Sequence, residues 1–343
     1  MKASHSASLT RSIFALLVLT MTSLCAAQGY KITDLGDSLG GNSSGARAVN
    51  ASGQITGYAF ESGNTISDIF LYSAGTMTSL GTLGGNSGIG NGINRFGRVA
   101  GYSTTSSGNY RAFISSGGQL IDIGDLGGGS SDGYAINDIG QVVGASYLAD
   151  GEIHPFLYTN GHMTDLGTLG SHNPQWWNSA QGINNSGQVV GTSYDANGNF
   201  FAFIWSNGKL RNLGTLGGLW SQGYAINNQR QATGVGYLPN GAAHAFLWTA
   251  GKMTDLGTVD TTAFGTSWGF GVNNHGAVVG QSTFRTTYHA FMYSGGKIKD
   301  LNKQIPSGSG WTLLSAYGIN DSGQIVGEGT QNGKQHGFLL TPH

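Results

Sequence analysis

Charge and cysteine are what this sequence has least of. Asp, Glu, Lys and Arg make up only 10 % of its 343 residues, against a usual ~25 %. The formal net charge of −1 is too small to hold a chain apart as a disordered polyelectrolyte. It also exerts no general pull on nucleic acid or on an anionic membrane surface. Cys25 is the single cysteine, so no disulfide framework can form within the chain. Proline occurs only 5 times. No segment has the length and 3.6-residue period of a helix, and no apolar run reaches the ~20 residues that a membrane span needs. A nucleophile elbow, a phosphate loop and a nucleophile with an evident base are all missing, so no catalytic motif points to an enzyme and no cofactor is expected, which leans against catalysis without deciding it.

Glycine is abundant instead, with 60 residues, and it follows no Gly-X-Y period, which excludes collagen. Hydrophobic residues at 38 % and aromatics at 10 % suffice for a core. Short strands joined by tight turns fit this composition best.

Residues 1–27 read as a secretory signal peptide. Lys2 and Arg11 form a basic start, Ile13 to Leu24 an apolar run, and Cys25-Ala26-Ala27 a small-residue cleavage site before Gln28. Removing them takes away two cations and the cysteine, leaving residues 28–343 at a net charge of about −3. The expected mature protein is secreted, extracellular or periplasmic, without a membrane anchor, and monomeric.

One unit recurs seven times through the rest of the chain, every 43 to 47 residues. Its first mark is Ala48-Val49-Asn50, returning at Asn94, Asn137, Asn184, Asn227, Asn273 and Asn320, always after a small residue and Ile or Val. Seven residues beyond each Asn stands a Gly, from Gly57 to Gly327. A Phe in an apolar run is the second mark: Phe70, Phe113, Phe156, Phe203, Phe246, Phe291 and Phe338. Segments such as Thr164–Gly167 and Thr254–Gly257 are the third. Each unit predicts four short strands. The first two are linked by a turn such as Asn184-Asn185-Ser186-Gly187, with Asn at its start and Gly in the left-handed position. Repeat 5 has Arg230 in that Gly slot.

Four strands per ~45 residues, repeated seven times, predict an all-β, seven-bladed β-propeller, residues 28–343 being one domain. The N-terminal Tyr30–Gly36 matches a fourth strand and the seventh unit lacks one, so this segment is expected to complete the last blade and close the ring. A β-solenoid or a different blade count is the alternative.

The tripeptides His244-Ala245-Phe246 and His289-Ala290-Phe291, with segments such as Leu166-Gly167-Thr168-Leu169-Gly170, resemble the HAF-repeat family of bacterial extracellular proteins. The resemblance covers the whole mature chain. It is degenerate at His154-Pro155-Phe156 and His336-Gly337-Phe338, while Asp68, Arg111 and Phe201 replace the His in repeats 1, 2 and 4. It implies secretion and repeats but no particular activity.

The recurring His154, His244, His289 and His336 would stand around a ring, where hydrogen bonding at a strand start suits them better than converging on zinc. No metal is expected. The non-repeated acids Glu61, Asp132, Asp150, Glu152, Asp260 and Glu328 could furnish a glycosidase pair, but the sequence does not pair them. Trp176, Trp177, Trp220, Trp268 and Trp311 are irregular: all are expected in loops entering the innermost strands of repeats 4 to 7. They suit either stacking on a sugar ring or wedging between blades. The expectation is a binding or scaffold module for carbohydrate or a partner protein on the loop face of repeats 4–7. The alternatives are a polysaccharide hydrolase or lyase at the same face, and a purely structural component.

Overall fold

A computed structural model describes residues 29–36, 38–260 and 265–343; the proposed signal segment and its cleavage site lie outside these residues. Among the described residues all regular structure is strand, apart from one 3-10 turn at Leu301–Lys303.

Each repeat forms four antiparallel strands in chain order. In repeat 3 they are Gly127–Ile136, Val142–Leu148, Ile153–Thr159 and His162–Asp165. Repeats 3 to 6 make separate four-stranded sheets, whereas repeats 1 and 2 share one sheet through a single parallel pair, Ser67 with Ser87. The seventh repeat supplies three strands, Trp311–Ile319, Ile325–Gln331 and Lys334–Pro342. Its fourth comes from the other end of the chain: Tyr30–Asp34 pairs antiparallel from Tyr30 opposite Pro342 to Asp34 opposite Phe338.

The repeated residues are the ones that packing requires. All seven marker Phe side chains are fully buried, one per repeat. The Gly seven residues beyond each Asn lies against the innermost strand: a Cβ at Gly191 would stand 1.9 Å from the Ser179 carbonyl oxygen. The same clash recurs in all seven repeats, so a larger residue would push the first two strands apart. The small residue before Ile or Val answers a second crowding, since a Cβ at Gly182 would meet the Ala225 Cα of the next repeat at 3.0 Å.

The turn between the first two strands has the expected form. Its glycines, such as Gly187 with φ +72°, are left-handed, and Arg230 shares that conformation at φ +64°. The link between strands three and four is tighter than the turn between the first two. Ser206 pairs with Lys209, and Asn207 and Gly208 both have positive φ. This is a two-residue type I′ hairpin, whose twist matches that of the flanking strands.

A left-handed backbone at a non-glycine residue costs roughly 1 kcal/mol. Arg230→Gly should therefore raise the melting temperature slightly, despite the extra freedom of the unfolded chain. A clear fall would show that Arg230 stabilises the turn through its side chain.

Candidate functional site

The innermost strands all run toward their Asn turns, which defines two faces. The lower face carries the Asn turns; on the upper face the chain enters the innermost strands and the second strands turn into the third.

Every innermost strand slips register three residues before its Asn, for example between Ala180 and Gly182. A bulge leaves one residue out of the ladder and re-aims its side chain. The seven bulged residues are Arg47, Asn91, Tyr134, Gln181, Tyr224, Phe270 and Tyr317, and all seven line one cavity of about 310 Å³. The strand pattern thus turns one side chain per repeat toward a common axis. Four aromatics, two amides and an arginine make a lining suited to a polar organic ligand. Sequence reasoning missed this set. Its signal was present, as the one position of varied, large residues beside an otherwise small and repeated motif.

Charge at and beside this channel is concentrated at two places. Arg47 lies 3.6 Å from the Glu328 carboxylate and 4.1 Å from the Tyr317 ring centroid. Glu328 also accepts from the Tyr317 hydroxyl at 2.7 Å, from Tyr58 at 3.4 Å and from the Gln335 amide at 3.4 Å. Burial, together with the negative charge of Glu328, pushes the Tyr58 hydroxyl up to about 12. Asp132 stands apart from this cluster. Burial raises its carboxyl to about 6, against the opposing effect of a hydrogen bond from Tyr134.

Because the folded state holds the Asp132 proton more tightly than the unfolded chain does, Asp132 costs stability as pH rises from about 4 toward 6. Asp132→Asn should then raise the melting temperature at pH 8 and leave it nearly unchanged at pH 4. An equal effect at both values would mean that Asp132 is not held protonated by its burial.

The five tryptophans do not act as one group. Trp177 is 40 % exposed, meets Tyr147 edge-on at 6.3 Å and bonds with Tyr134 of the channel. Trp176 stacks on Tyr194 at 5.2 Å, Tyr194 meets Phe200 at 5.4 Å, and Phe200 stacks on Trp220 at 5.2 Å. Trp220 then meets Tyr237 edge-on at 5.5 Å. A continuous aromatic row therefore crosses repeats 4 and 5 on the upper face. Trp268 and Trp311 lie within strands rather than in loops. Trp268 pairs with Tyr288, and Trp311 packs edge-on to buried Phe338, which makes it part of the core of the last repeat.

The recurring histidines are structural. Nδ1 of His154, His244 and His289 lies 2.8–3.0 Å from Asp165, Asp255 and Asp300 respectively. His336 pairs at 3.0 Å with Asp34, which the N-terminal strand provides. In repeats 1 and 2, which lack the His, the pair is replaced: Asp68 accepts from Ser79, and Arg111 bonds to Asp125. His and Asp thus tie the third strand to the fourth. Among the described residues no group of three His, Cys, Asp or Glu is arranged to hold a metal.

No protein-family model matches the chain, and no curated protein is significantly similar to it. Solved structures do resemble it. The β-propeller domain of the trilobed protease from Pyrococcus furiosus aligns at a TM-score of 0.52 and 12 % identity, over 75 % of this chain and 82 % of that one. The BP39L lectin from Burkholderia pseudomallei gives 0.52 and 10 %, over 88 % and 96 %. TolB from Acinetobacter baumannii gives 0.49 and 11 %, over 84 % of this chain but only 63 % of its own length. The chain has a β-propeller type of fold. At these identities the likeness reaches no further than the fold. No helix among the described residues is long and apolar enough to cross a membrane.

Proposed function

We propose that this is a secreted, seven-bladed, closed β-propeller that binds carbohydrate on its upper face, at the aromatic row of repeats 4 and 5 and the adjoining channel mouth. The single observation that carries the binding site is the row itself, Trp176–Tyr194–Phe200–Trp220–Tyr237, with half-exposed Trp177 joining it to the channel. Aromatic faces beside amide and hydroxyl groups complement the apolar faces and hydroxyl edges of a sugar ring. The blade count is supported by seven bulged strands around one cavity, and closure by the pairing of Tyr30–Asp34 with the last repeat. The His–Asp pairs give a physical role to the His-Ala-Phe tripeptide, on whose sequence alone the proposed membership of the HAF-repeat family rests.

Binding is favoured over hydrolysis because the ring of bulged residues contains no carboxylate and Glu328 is engaged by four partners. One observation favours the second reading, a polysaccharide hydrolase or lyase: Asp132, raised to about 6 by burial and bonded to Tyr134 of the channel lining, could donate a proton.

A glycan array of the mature protein, with product analysis on every hit, tests both. Trp177→Ala should weaken binding of the hit while altering stability by no more than ~0.5 kcal/mol, as exposed substitutions do. Trp220→Ala should weaken it too, with an added cost of ~0.5–1.5 kcal/mol from its lost ring partners. Trp311→Ala is the contrast, costing ~3–5 kcal/mol as a core truncation. Binding unaffected by both Trp177→Ala and Trp220→Ala would remove the site, and cleaved glycan would replace binding with catalysis.

A further inference from the structure

On the lower face, the groove between repeats 4 and 5 gathers positive charge that nothing in the fold uses. Lys209 and Arg211 project from the outermost strand of repeat 4, Lys209–Asn212. Arg230 projects from the Asn turn of repeat 5. The three line one cavity of about 440 Å³ whose other walls are Gln188, Ile204, Ser206 and Asn207. No acid lines it. None of the three cations makes an ion pair or a side-chain hydrogen bond among the described residues. In a chain with only 16 Lys and Arg in all, three converging without a counter-charge is an unbalanced arrangement that an anion would relieve.

The same groove elsewhere in the molecule is built differently. Position 230 is Gly in the six other repeats, and a Cβ there packs against a side chain of the preceding repeat: at Gly276 the Gln231 amide oxygen lies 3.2 Å away. Repeat 5 instead holds a long cation in a left-handed backbone, a local strain that the fold does not require. Outer strands elsewhere carry Thr76 and Thr78, Gln119 and Ile121, or His162 and Thr164 where repeat 4 has Lys209 and Arg211, and those of repeats 5 and 7 carry one cation each, Lys252 with Thr254 and Lys31 with Thr33. Lys297 and Lys299 of repeat 6 match them, but the turn that follows has Gly323. Only this groove combines both features.

We propose that the groove between repeats 4 and 5 is a second binding site, for the carboxylate or sulfate group of an anionic ligand. Two guanidinium groups can each donate paired hydrogen bonds to such a group, and Lys209 adds a point charge. The neutral Gln188, Ser206 and Asn207 leave hydrogen bonds for hydroxyls beside the anion. The cavity exceeds a single oxyanion in size, which suits an acidic saccharide. The site lies on the face opposite the aromatic row and is independent of the function proposed there.

The test is isothermal titration of the mature protein with sodium sulfate, a galacturonate trisaccharide and a neutral galactose trisaccharide, at low and at physiological salt. The acidic trisaccharide or sulfate should bind, more weakly at the higher salt, and the neutral sugar should not compete. Equal affinity for sulfate and galacturonate would identify a free oxyanion as the ligand; tighter binding of galacturonate would identify a polymer. Lys209→Gln, Arg211→Gln and Arg230→Gly should each weaken binding by about tenfold. Arg230→Gly should do so with an unchanged or higher melting temperature, which separates loss of the site from loss of the fold. Trp177→Ala should leave anion binding intact. The proposal is overturned if neither anion binds, or if the triple variant binds as the parent does.

Discussion

Deleting Gln28–Gly36 from a protein of residues 28–343 should make it aggregate, or lower its melting temperature far more than any surface substitution. Five residues, Tyr30–Asp34, form the outer strand of the last repeat. Tyr30 is 6 % exposed and packs with Leu313, Phe338 and Leu340, while Leu35 is 2 % exposed beside Ala46, Phe70 and Val326. Losing either side chain alone resembles a core truncation of ~2–5 kcal/mol. The deletion removes both, takes Asp34 from buried His336, and bares the Lys334–Pro342 strand as a long apolar edge, which invites pairing between molecules. Size-exclusion chromatography and thermal melting of residues 28–343 against 37–343 provide the measurement. A soluble, monomeric deletion with unchanged melting would show that the N-terminal strand is dispensable and that the seventh sheet stands on three strands. Rescue by a synthetic peptide of residues 28–36 would show that the lost strand itself, rather than some effect on synthesis, is the cause.

The architecture could be read because repetition multiplies weak signals. One Gly after one short strand means little, but seven at the same distance from seven Asn residues mark a close approach that only Gly tolerates. The complementary ends, Tyr30–Asp34 against a seventh repeat without its fourth strand, were legible for the same reason. The channel lining was not, because its defining event is a bulge. A bulge shifts register by one residue without changing the alternation of residue types around it, and in a single sequence it leaves only a varied position among small ones. Tryptophans misled in the opposite way. Their position just before the innermost strand suggested a common role, yet Trp311 is turned into the core beside Phe338 and Trp177 out toward the channel. Two residues at similar distances from the Asn point differently because the incoming segments differ in length and course. The cationic groove was visible only as Arg230, a single departure from pattern; its partners Lys209 and Arg211 lie about twenty residues earlier and meet it only through the packing of one repeat on the next.

The Asn of each repeat should prove far more costly to replace than its place in a surface turn suggests. Asn184 is 3 % exposed. Its side-chain oxygen accepts from the backbone N–H of Ser186 and Gln188, at 3.1 and 3.0 Å. Its amide nitrogen donates to the Gln188 side chain at 3.0 Å and to the backbone carbonyl of Asn227, the equivalent residue of repeat 5, at 3.1 Å. Each Asn donates to the next in this manner, and Asn320 donates to the Asn50 carbonyl at 2.9 Å. The turn and the contact between repeats therefore depend on one amide. Asn184→Asp keeps the accepting oxygen but sets a second oxygen against two acceptors. Gln188 can rotate its amide to donate; the Asn227 carbonyl cannot. The buried carboxylate is left facing a carbonyl without a compensating charge, a situation that costs ~3–5 kcal/mol. In a domain of this size that is a fall of roughly 5 °C or more in melting temperature at pH 7. The introduced carboxyl must have a folded pKa above its unfolded ~3.9, so the loss should shrink at pH 4, where the proton is retained and can be donated to Asn227. Asn184→Ala lacks this pH dependence and leaves two N–H groups without partners, at ~1–3 kcal/mol each where water cannot reach them, while the Asn227 carbonyl keeps only its bond from the Arg230 N–H at 3.1 Å. Melting curves of both variants at pH 4 and pH 7, each against the parent, decide the matter. An Asp variant that melts with the parent at pH 7 would mean that the turn, and not the amide link to the next repeat, is what this residue supplies.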